Sequence, residues 1–554
     1  MEAKIYDTLL HARFLVENGT INRFISTIII VASLFQNYGF LMTIIESEYH
    51  YNHMNNIFGW VSPTKFLNLM GFTNYIFGYL AISLLFLALF VINYAYLYMK
   101  RDNLSTKSYF MARKTHLNAF LEILSFFNNS GFILLIYGFL IEIAIAPLTC
   151  SNRFIFDDYR ISTYYKDIYD VCNDKIFKLI SFICIFAAFL GFIHSLVIAL
   201  FNTTQRFLAN NKLSIHSRSF ALWIVIEKTV YAILGLYTRQ NGMIKSLLQF
   251  LILTLSLIKV LKWNKKLFFL DVHVSKVYLM NQIFFFLVLF NSFWSQLFIF
   301  NTILEVFSNT YIYFLIILIM CFMAFKFAQR LEKNLILNNL NLQRDNKNRH
   351  SILYLYYYLI DSDIGNGKII INKKDENTHI IMTFLRSHIK TCDKPNCICS
   401  VIRSYGTIYD QVTKTFIDFS NEADNKRYYS NFIFLRELII EELLNEINSY
   451  KNRKESILIL LNFYIFECNN LYKAYELIKP LKSMQLTFID KFELGYIKRA
   501  FDRYFKYDMH HKYNGDDYLI VEKFTALSKA YTSIQEDLIH VLDKFHSIII
   551  LLVS

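Results

Sequence analysis

Three thiols and one imidazole fall within twelve residues in the segment HIKTCDKPNCICS, at His388, Cys392, Cys397 and Cys399. Thiolate sulfur and imidazole nitrogen are the ligands of closed tetrahedral zinc sites. The turn formers Asp393, Lys394, Pro395 and Asn396, between two of the donors, let the chain reverse around an ion. All four donors are consumed in such a site, so the expected Zn2+ is structural and leaves no open position for catalysis. The spacing is not that of a common finger, and a reactive thiol cluster or a turn without metal remain the alternatives, with His379 as a rival ligand.

Two further cysteines, Cys150 and Cys172, bracket the loop between two apolar runs. In an oxidising compartment they are expected to pair as a disulfide, closing a loop of about twenty residues at a gain of about 3 kcal/mol. Cys184, Cys321 and Cys468 lie within apolar runs and are expected to be buried packing residues.

A second kind of chemistry is open to charges inside apolar runs, where an ionised group must be paired, neutralised or solvated. Glu142 stands five residues before Pro147 in FLIEIAIAPLTC, so a helix break at the proline is expected to expose backbone oxygens beside the carboxylate. Glu227 and Lys228 are adjacent and point about 100° apart on a helix, which directs them to partners on other elements. Gln36, Asn291 and Gln296 are candidates for hydrogen bonds across helices. For all of these, interhelical adhesion is the simpler role and transport the sharper one.

Motifs for enzymatic catalysis do not occur: there is no phosphate loop, nucleophile elbow, metal-binding histidine pair, kinase signature or dinucleotide fingerprint. His510 and His511 sit in a polar, Tyr-rich stretch and are read as solvated. The chain is therefore expected not to be an enzyme. Its net charge of +13 is spread over short loops beside apolar runs, which points to lipid headgroups rather than to nucleic acid.

The elements that carry these residues are apolar helices. Leu80 to Met99 runs twenty residues without a formal charge, the length of a hydrocarbon core of about 30 Å. Hydrophobic residues make up 55% of the chain and Phe alone contributes 54, with only 4 Pro, a composition suited to helices in lipid. About eight spans are expected, at Phe24–Ile45, Phe77–Met99, Phe132–Leu148, Leu179–Phe201, Phe220–Leu236, Leu247–Val260, Met280–Phe300 and Tyr311–Phe327. Basic residues concentrate after the second, fourth and sixth, with Lys100, Arg101, Lys107, Arg113 and Lys114 in the first of these loops. That bias places both termini in the cytosol, with the first span retained as a signal anchor.

The expected organisation is a cytosolic N-terminus over 1–23, a transmembrane helix bundle over 24–328, a juxtamembrane helix and linker over 329–375, the Cys/His zinc-binding segment over 376–405 and a helical region over 406–554. Ser351 to Ile360 is a further helix candidate. Phe432 to Ile447 places Leu438, Ile439 and Leu443 on one face and Glu437, Glu441, Glu442 and Glu446 largely on the other, the pattern of a surface helix. In LLNFYIFECNNLYKAYELIKPL, Asn469 and Asn470 separate two helices, and Ala474 and Pro480 fall as in tetratricopeptide-type hairpins. The fold class expected is all-α, a polytopic bundle followed by a TPR-like region.

The order of Gln36, the Glu142, Pro147 and Cys150 pattern, Cys172, the His388 to Cys399 cluster and the Asn-rich hairpin at Ala474 resembles the TmcB-like proteins, named for tiny macrocysts protein B, of ciliates and amoebae. The resemblance spans most of the chain, from the first apolar run to about Val541. In that family a PAS-type sensory domain commonly follows the membrane part, which implies a sensing or signalling role; here the sequence given runs to HSIIILLVS without one. The functional expectation is a receptor-like or scaffolding multi-pass membrane protein, with the bilayer and an unidentified protein as partners, no nucleic acid, and self-assembly left open. The alternative is an ion channel or solute transporter using Glu142, Glu227 and Lys228.

Overall fold

The computed structural model describes, apart from short gaps, residues 2–42, 75–100, 117–148, 175–202, 211–237, 271–297, 310–340, 376–391, 398–448 and 453–499, with short pieces near 251–269 and 355–371. Those residues are overwhelmingly helical. In chain order they form α1 (Glu2–Asn18), α2 (Arg23–Met42), α3 (Tyr75–Lys100), α4 (Leu117–Phe127), a π-helical turn (Phe132–Ile136), α5 (Tyr137–Leu148), α6 (Lys175–Phe201), α7 (Arg218–Tyr237), α8 (Val272–Leu297) and α9 (Thr310–Leu340). The second half adds α10 (Glu376–Thr391), α11 (Ile398–Tyr405), α12 (Asp424–Asn448), α13 (Arg453–Phe466), α14 (Leu471–Lys482) and α15, a helix over 488–499. Two small antiparallel pairs interrupt the helices: β1 (Ile360–Asp361) with β2 (Ile370–Ile371), and β3 (Thr407–Asp410) with β4 (Thr415–Asp418). The region expected to be helical from residue 406 thus begins with a hairpin, in which Ile408 faces Ile417 and Tyr409 faces Phe416.

Two helices are long and apolar enough to cross a membrane, Gly78–Met99 and Lys178–Phe201, at mean hydropathy 2.2 and 2.5. A bent pair, Leu121–Phe127 with Phe132–Ile141, raises the number to three if it acts as one span. The expectation of about eight is corrected accordingly among the described residues. The physical reason in α7 is polar interruption, since it carries Glu227 and Lys228 at its middle. Most of Leu247–Val260 lies outside the described residues. Along α6 the large side chains Leu179, Phe182, Phe186, Phe189 and Ile193 recur at helical spacing and are exposed, an apolar stripe that suits lipid contact.

One core unites the first half. Phe86, Phe127, Phe132, Tyr137, Leu140, Ala187, Phe220, Tyr278 and Phe285 are buried together from α3, α4, the π-helical turn, α5, α6, α7 and α8. Close approach of α5 to α6 depends on Gly191, where a Cβ would lie 2.7 Å from Leu140 Cδ1. A second core joins α10 to α15 with Leu10 of α1 and Ile336 of α9. Its centre is α12, which buries Ile433, Phe434, Leu435, Leu438, Ile439, Ile440 and Leu443. The reading of α12 as a surface helix is corrected: Glu437 and Arg436 are buried as well, 3.2 Å apart, because α10, α11 and α13 pack around it.

Helices α13 and α14 pack as an antiparallel hairpin, with Asn470 capping α14 through Lys473 N–H at 3.1 Å and Ala474 fully buried between them. Thr487 and Asp490 start α15 with a reciprocal capping box, at 3.2 and 3.1 Å.

Candidate functional site: a broken helix and its polar partners

The sequence FFNNSGF places an Asn-Asn-Ser-Gly tetrad inside an apolar run, and there the chain bends by 62° between α4 and the helix that follows. Beyond the bend, Tyr137 N–H bonds to Phe132 O, five residues back, which widens the helix into a π-turn. A break of this kind turns backbone carbonyls toward neighbouring elements, and four side chains, Gln36, Lys228, His194 and Asn202, answer.

On the α2 and α7 side, Lys228 Nζ donates to Leu134 O at 2.5 Å and to Gln36 Oε1 at 2.9 Å, while Gln36 Nε2 donates to Leu135 O at 3.2 Å. Lys228 and Gln36 are each 1% exposed. An ammonium carried into an apolar interior costs several kcal/mol, and the two oxygens offset that through charge-assisted hydrogen bonds. Gly138 makes the geometry feasible, because any Cβ at that position would collide with the Gln36 amide. Thr229 donates to Val225 O at 2.7 Å, so Tyr137 is the donor in its 2.7 Å bond to Thr229 Oγ1. Glu227, 3% exposed, faces away and accepts from Tyr231 OH at 2.8 Å.

On the α3 and α6 side, His194 is 1% exposed and uses both ring nitrogens: Nε2 meets Phe127 O at 2.9 Å and Nδ1 meets Tyr94 OH at 2.9 Å. A carbonyl only accepts, so Nε2 carries the proton and Tyr94 donates to Nδ1. The rings of Phe90, Phe127, Phe132 and Tyr94 surround the imidazole, with centroids 4.7 to 5.8 Å away. Beside it Asn93 and Asn128 exchange amide hydrogen bonds of 2.6 and 3.1 Å, and Asn202 Nδ2 donates to Asn128 O at 2.8 Å. Ser130 Oγ donates to Leu213 O from the segment between α6 and α7. None of these residues other than Gln36, Glu227 and Lys228 was singled out by the sequence reading. The Asn-Asn-Ser-Gly tetrad was the available signal, since four turn-forming residues in an apolar run mark a break.

A third polar group joins the two halves of the molecule. Glu493 of α15, 1% exposed, pairs with Arg13 of α1 at 2.8 Å and also binds Arg218 at the first turn of α7. The Arg13 guanidinium lies 4.1 Å over the Tyr496 ring, Arg499 pairs with Asp7, and Tyr6 OH donates to Lys491 O at 2.9 Å. Burial raises the Tyr6 phenol above its ordinary pKa, partly offset by the neighbouring Arg499. Phe201, ending α6, packs on Phe492 with centroids 5.0 Å apart. At the same end of the bundle Asp271 caps α8 through Val274 N–H at 3.1 Å and binds Arg23 at 2.8 Å, and Lys276 pairs with Glu332 at 2.5 Å.

The remaining sequence candidates separate. Cys392 and Cys397 lie outside the described residues, as do both Cys150 and Cys172. His388 stacks on Phe384 and lies against Phe434, with centroids 6.2 Å away, and Cys399 is fully buried in the same core; their helices α10 and α11 pack together. Among the described residues no three His, Cys, Asp or Glu side chains gather to hold a metal. The side chains of Glu142, Asn291, Gln296 and His379 are outside the described set. The expected break at Pro147 is corrected: α5 continues through that proline to Leu148, and the break lies upstream at Asn128 and Asn129. α5 ends one residue beyond Pro147, at Leu148, so no further turn has to continue past the proline. Cys184 and Cys468 are buried as expected, but Cys321 is exposed because it lies on the outward side of α9.

Comparison with protein-family models, with curated proteins and with solved structures gives no match to this chain.

Proposed function

We propose that the chain is a receptor-like multi-pass membrane protein, not an enzyme, in which the broken helix is the movable part and the second helical core is the output that meets a protein partner. The observation that carries this reading is the burial of Glu493 between Arg13 and Arg218. Arg218 and Lys228 are ten residues apart on α7, so a ligand or lipid event that shifts the break is carried about 15 Å along one rigid helix to the α15 contact. In this reading both termini face the cytosol, the α13 and α14 hairpin offers a tetratricopeptide-like surface, and His388, Cys392, Cys397 and Cys399 hold a structural zinc that fastens α10 to α11. The pairing of Cys150 with Cys172 and membership of the TmcB-like family belong to the same proposal.

The test is hydrogen exchange on the full chain in lipid nanodiscs. Glu493→Gln is expected to speed exchange both in α15 and in residues 128–136; a change confined to α1 and α15 refutes the coupling. A second reading, a channel or carrier, is favoured by the bent span beside Lys228, since discontinuous helices form many transport sites. Reconstituted vesicles whose ion or solute flux is abolished by Lys228→Met would select it over the first.

A further inference from the structure

We propose that the break between α4 and α5 binds a small cluster of ordered water, sealed inside the apolar bundle. Four side-chain atoms on the break, or on segments hydrogen-bonded to it, are buried with no hydrogen-bond partner among the described residues: Ser125 Oγ, Asn129 Nδ2, Asn202 Oδ1 and Ser214 Oγ. Ser125 and Asn129 are each 2% exposed, Ser214 1% and Asn202 6%. Ser125 and Asn129 flank the bend, and the other two lie on segments bonded to it. Asn202 reaches the break through Asn128 O, and Ser214 follows Leu213, whose carbonyl takes the Ser130 hydroxyl.

The amide orientations are fixed by other bonds. Asn129 Oδ1 already accepts from Ser130 N–H, so its NH2 is the unused end. Asn202 Nδ2 already donates to Asn128 O, so its oxygen is the unused end. The set is therefore one donor, one acceptor and two hydroxyls that serve as either, with no formal charge. A cation is disfavoured by the Asn129 NH2 and an anion by the Asn202 oxygen, whereas water donates and accepts at once and satisfies all four. Buried water of this kind lets a bent helix exchange hydrogen bonds as it moves, without baring polar groups to hydrocarbon.

X-ray hydroxyl-radical footprinting of the full chain in nanodiscs tests the inference, because radicals formed from bound water label the residues beside it. Phe127 is 3% exposed and Phe285 1%, so chemistry and burial are matched. Phe127, at the break, is expected to be labelled severalfold faster than Phe285, and Asn202→Leu to bring the two together. Equal labelling of the two rings in the unmodified chain overturns the proposal. So does labelling at Phe127 that changes when sodium chloride is replaced by choline gluconate, which would mean an ion occupies the break.

Discussion

Replacing Glu493 with alanine removes the one carboxylate that α15 extends to two arginines. Breaking a buried ion pair by truncating one partner costs about 3–5 kcal/mol, because the remaining charge keeps its desolvation penalty. Arg13, 1% exposed in its side chain, sets that magnitude; Arg218, 24% exposed, is partly solvated, and its own truncation should cost no more than about 1 kcal/mol. Arg13→Ala should match Glu493→Ala and add roughly 1 kcal/mol for the lost contact with the Tyr496 ring. The double change Arg13→Met with Glu493→Leu should restore most of the loss, since well-packed apolar replacements of buried pairs are often neutral. The assay is amide exchange of α1 and α15 in the full chain, which reads the local opening free energy. At a tenfold change per 1.4 kcal/mol, Glu493→Ala should accelerate exchange there by about two to three and a half orders of magnitude. If Glu493→Ala and Arg218→Ala give equal effects below tenfold, or the apolar double is as damaging as the single, the pair is not buried as described and the coupling argument fails with it.

Around the Lys228 centre the order of effects is diagnostic. Gln36→Leu strips an acceptor from a buried ammonium and should cost about 2–3 kcal/mol, whereas Lys228→Met leaves only neutral oxygens unsatisfied and should cost about 1 kcal/mol, both read from melting of the full chain in nanodiscs. Gly138→Ala should reproduce the Gln36→Leu loss by pushing the amide aside, while Gly495→Ala, which drives a Cβ into the Tyr6 hydroxyl, should loosen α1 from α15 and leave the Lys228 centre intact; exchange mapping separates the two. Because folding raises the Tyr6 pKa, its contribution is fully present below the unfolded value near 10 and is lost as pH climbs through the folded one, so the protection of α15 amides relative to their intrinsic exchange rate should fall at strongly alkaline pH in the native chain and not in Tyr6→Phe. Purified, reduced full chain should carry one zinc, lost in Cys397→Ser; elemental analysis that finds none removes the metal from the proposal.

Helices such as α3 and α6 were legible because their composition alone decides them: twenty apolar residues in a row admit little else. The cross-helix role of Gln36 was legible for a related reason, as an amide in an apolar run must find a partner. The number of spans was not, because hydropathy cannot separate a helix bathed in lipid from one wrapped by other helices, and α7 with its buried Lys228 and Glu227 is of the second kind. Pro147 misled because it stands one residue before the end of α5, where it coincides with the helix terminus and interrupts nothing. Asn128, Asn129 and Ser130 precede the expected span at Phe132–Leu148, and the apolar Leu117–Phe127 stretch continues the pattern on their other side. Long-range pairs such as Arg13 with Glu493 leave no local trace at all, since nothing in either neighbourhood names the other.

The polar groups of this molecule are arranged along α7 in a way that bears on how it can move. Arg218 at its first turn faces α15, Lys228 in its middle faces the π-turn, and Thr229 beside it receives Tyr137 from the start of α5. Straightening the bend while α7 stays in place would draw Leu134 O away from Lys228, leaving an ammonium in apolar surroundings at a cost of several kcal/mol. If α7 follows the carbonyl instead, Arg218 is pulled from Glu493, and Arg13 alone must hold α15. Either way the bend and the α15 contact cannot change independently, because one stiff helix carries a buried cation at one site and half of an ion pair at the other. Shortening that link is therefore the sharpest probe of the arrangement: a helix-breaking Ala221→Pro between Arg218 and Lys228 should leave both polar contacts formed yet abolish the effect of Glu493→Gln on exchange in residues 128–136. Persistence of that effect would mean the signal travels through α6 and the Phe201 contact with Phe492 instead.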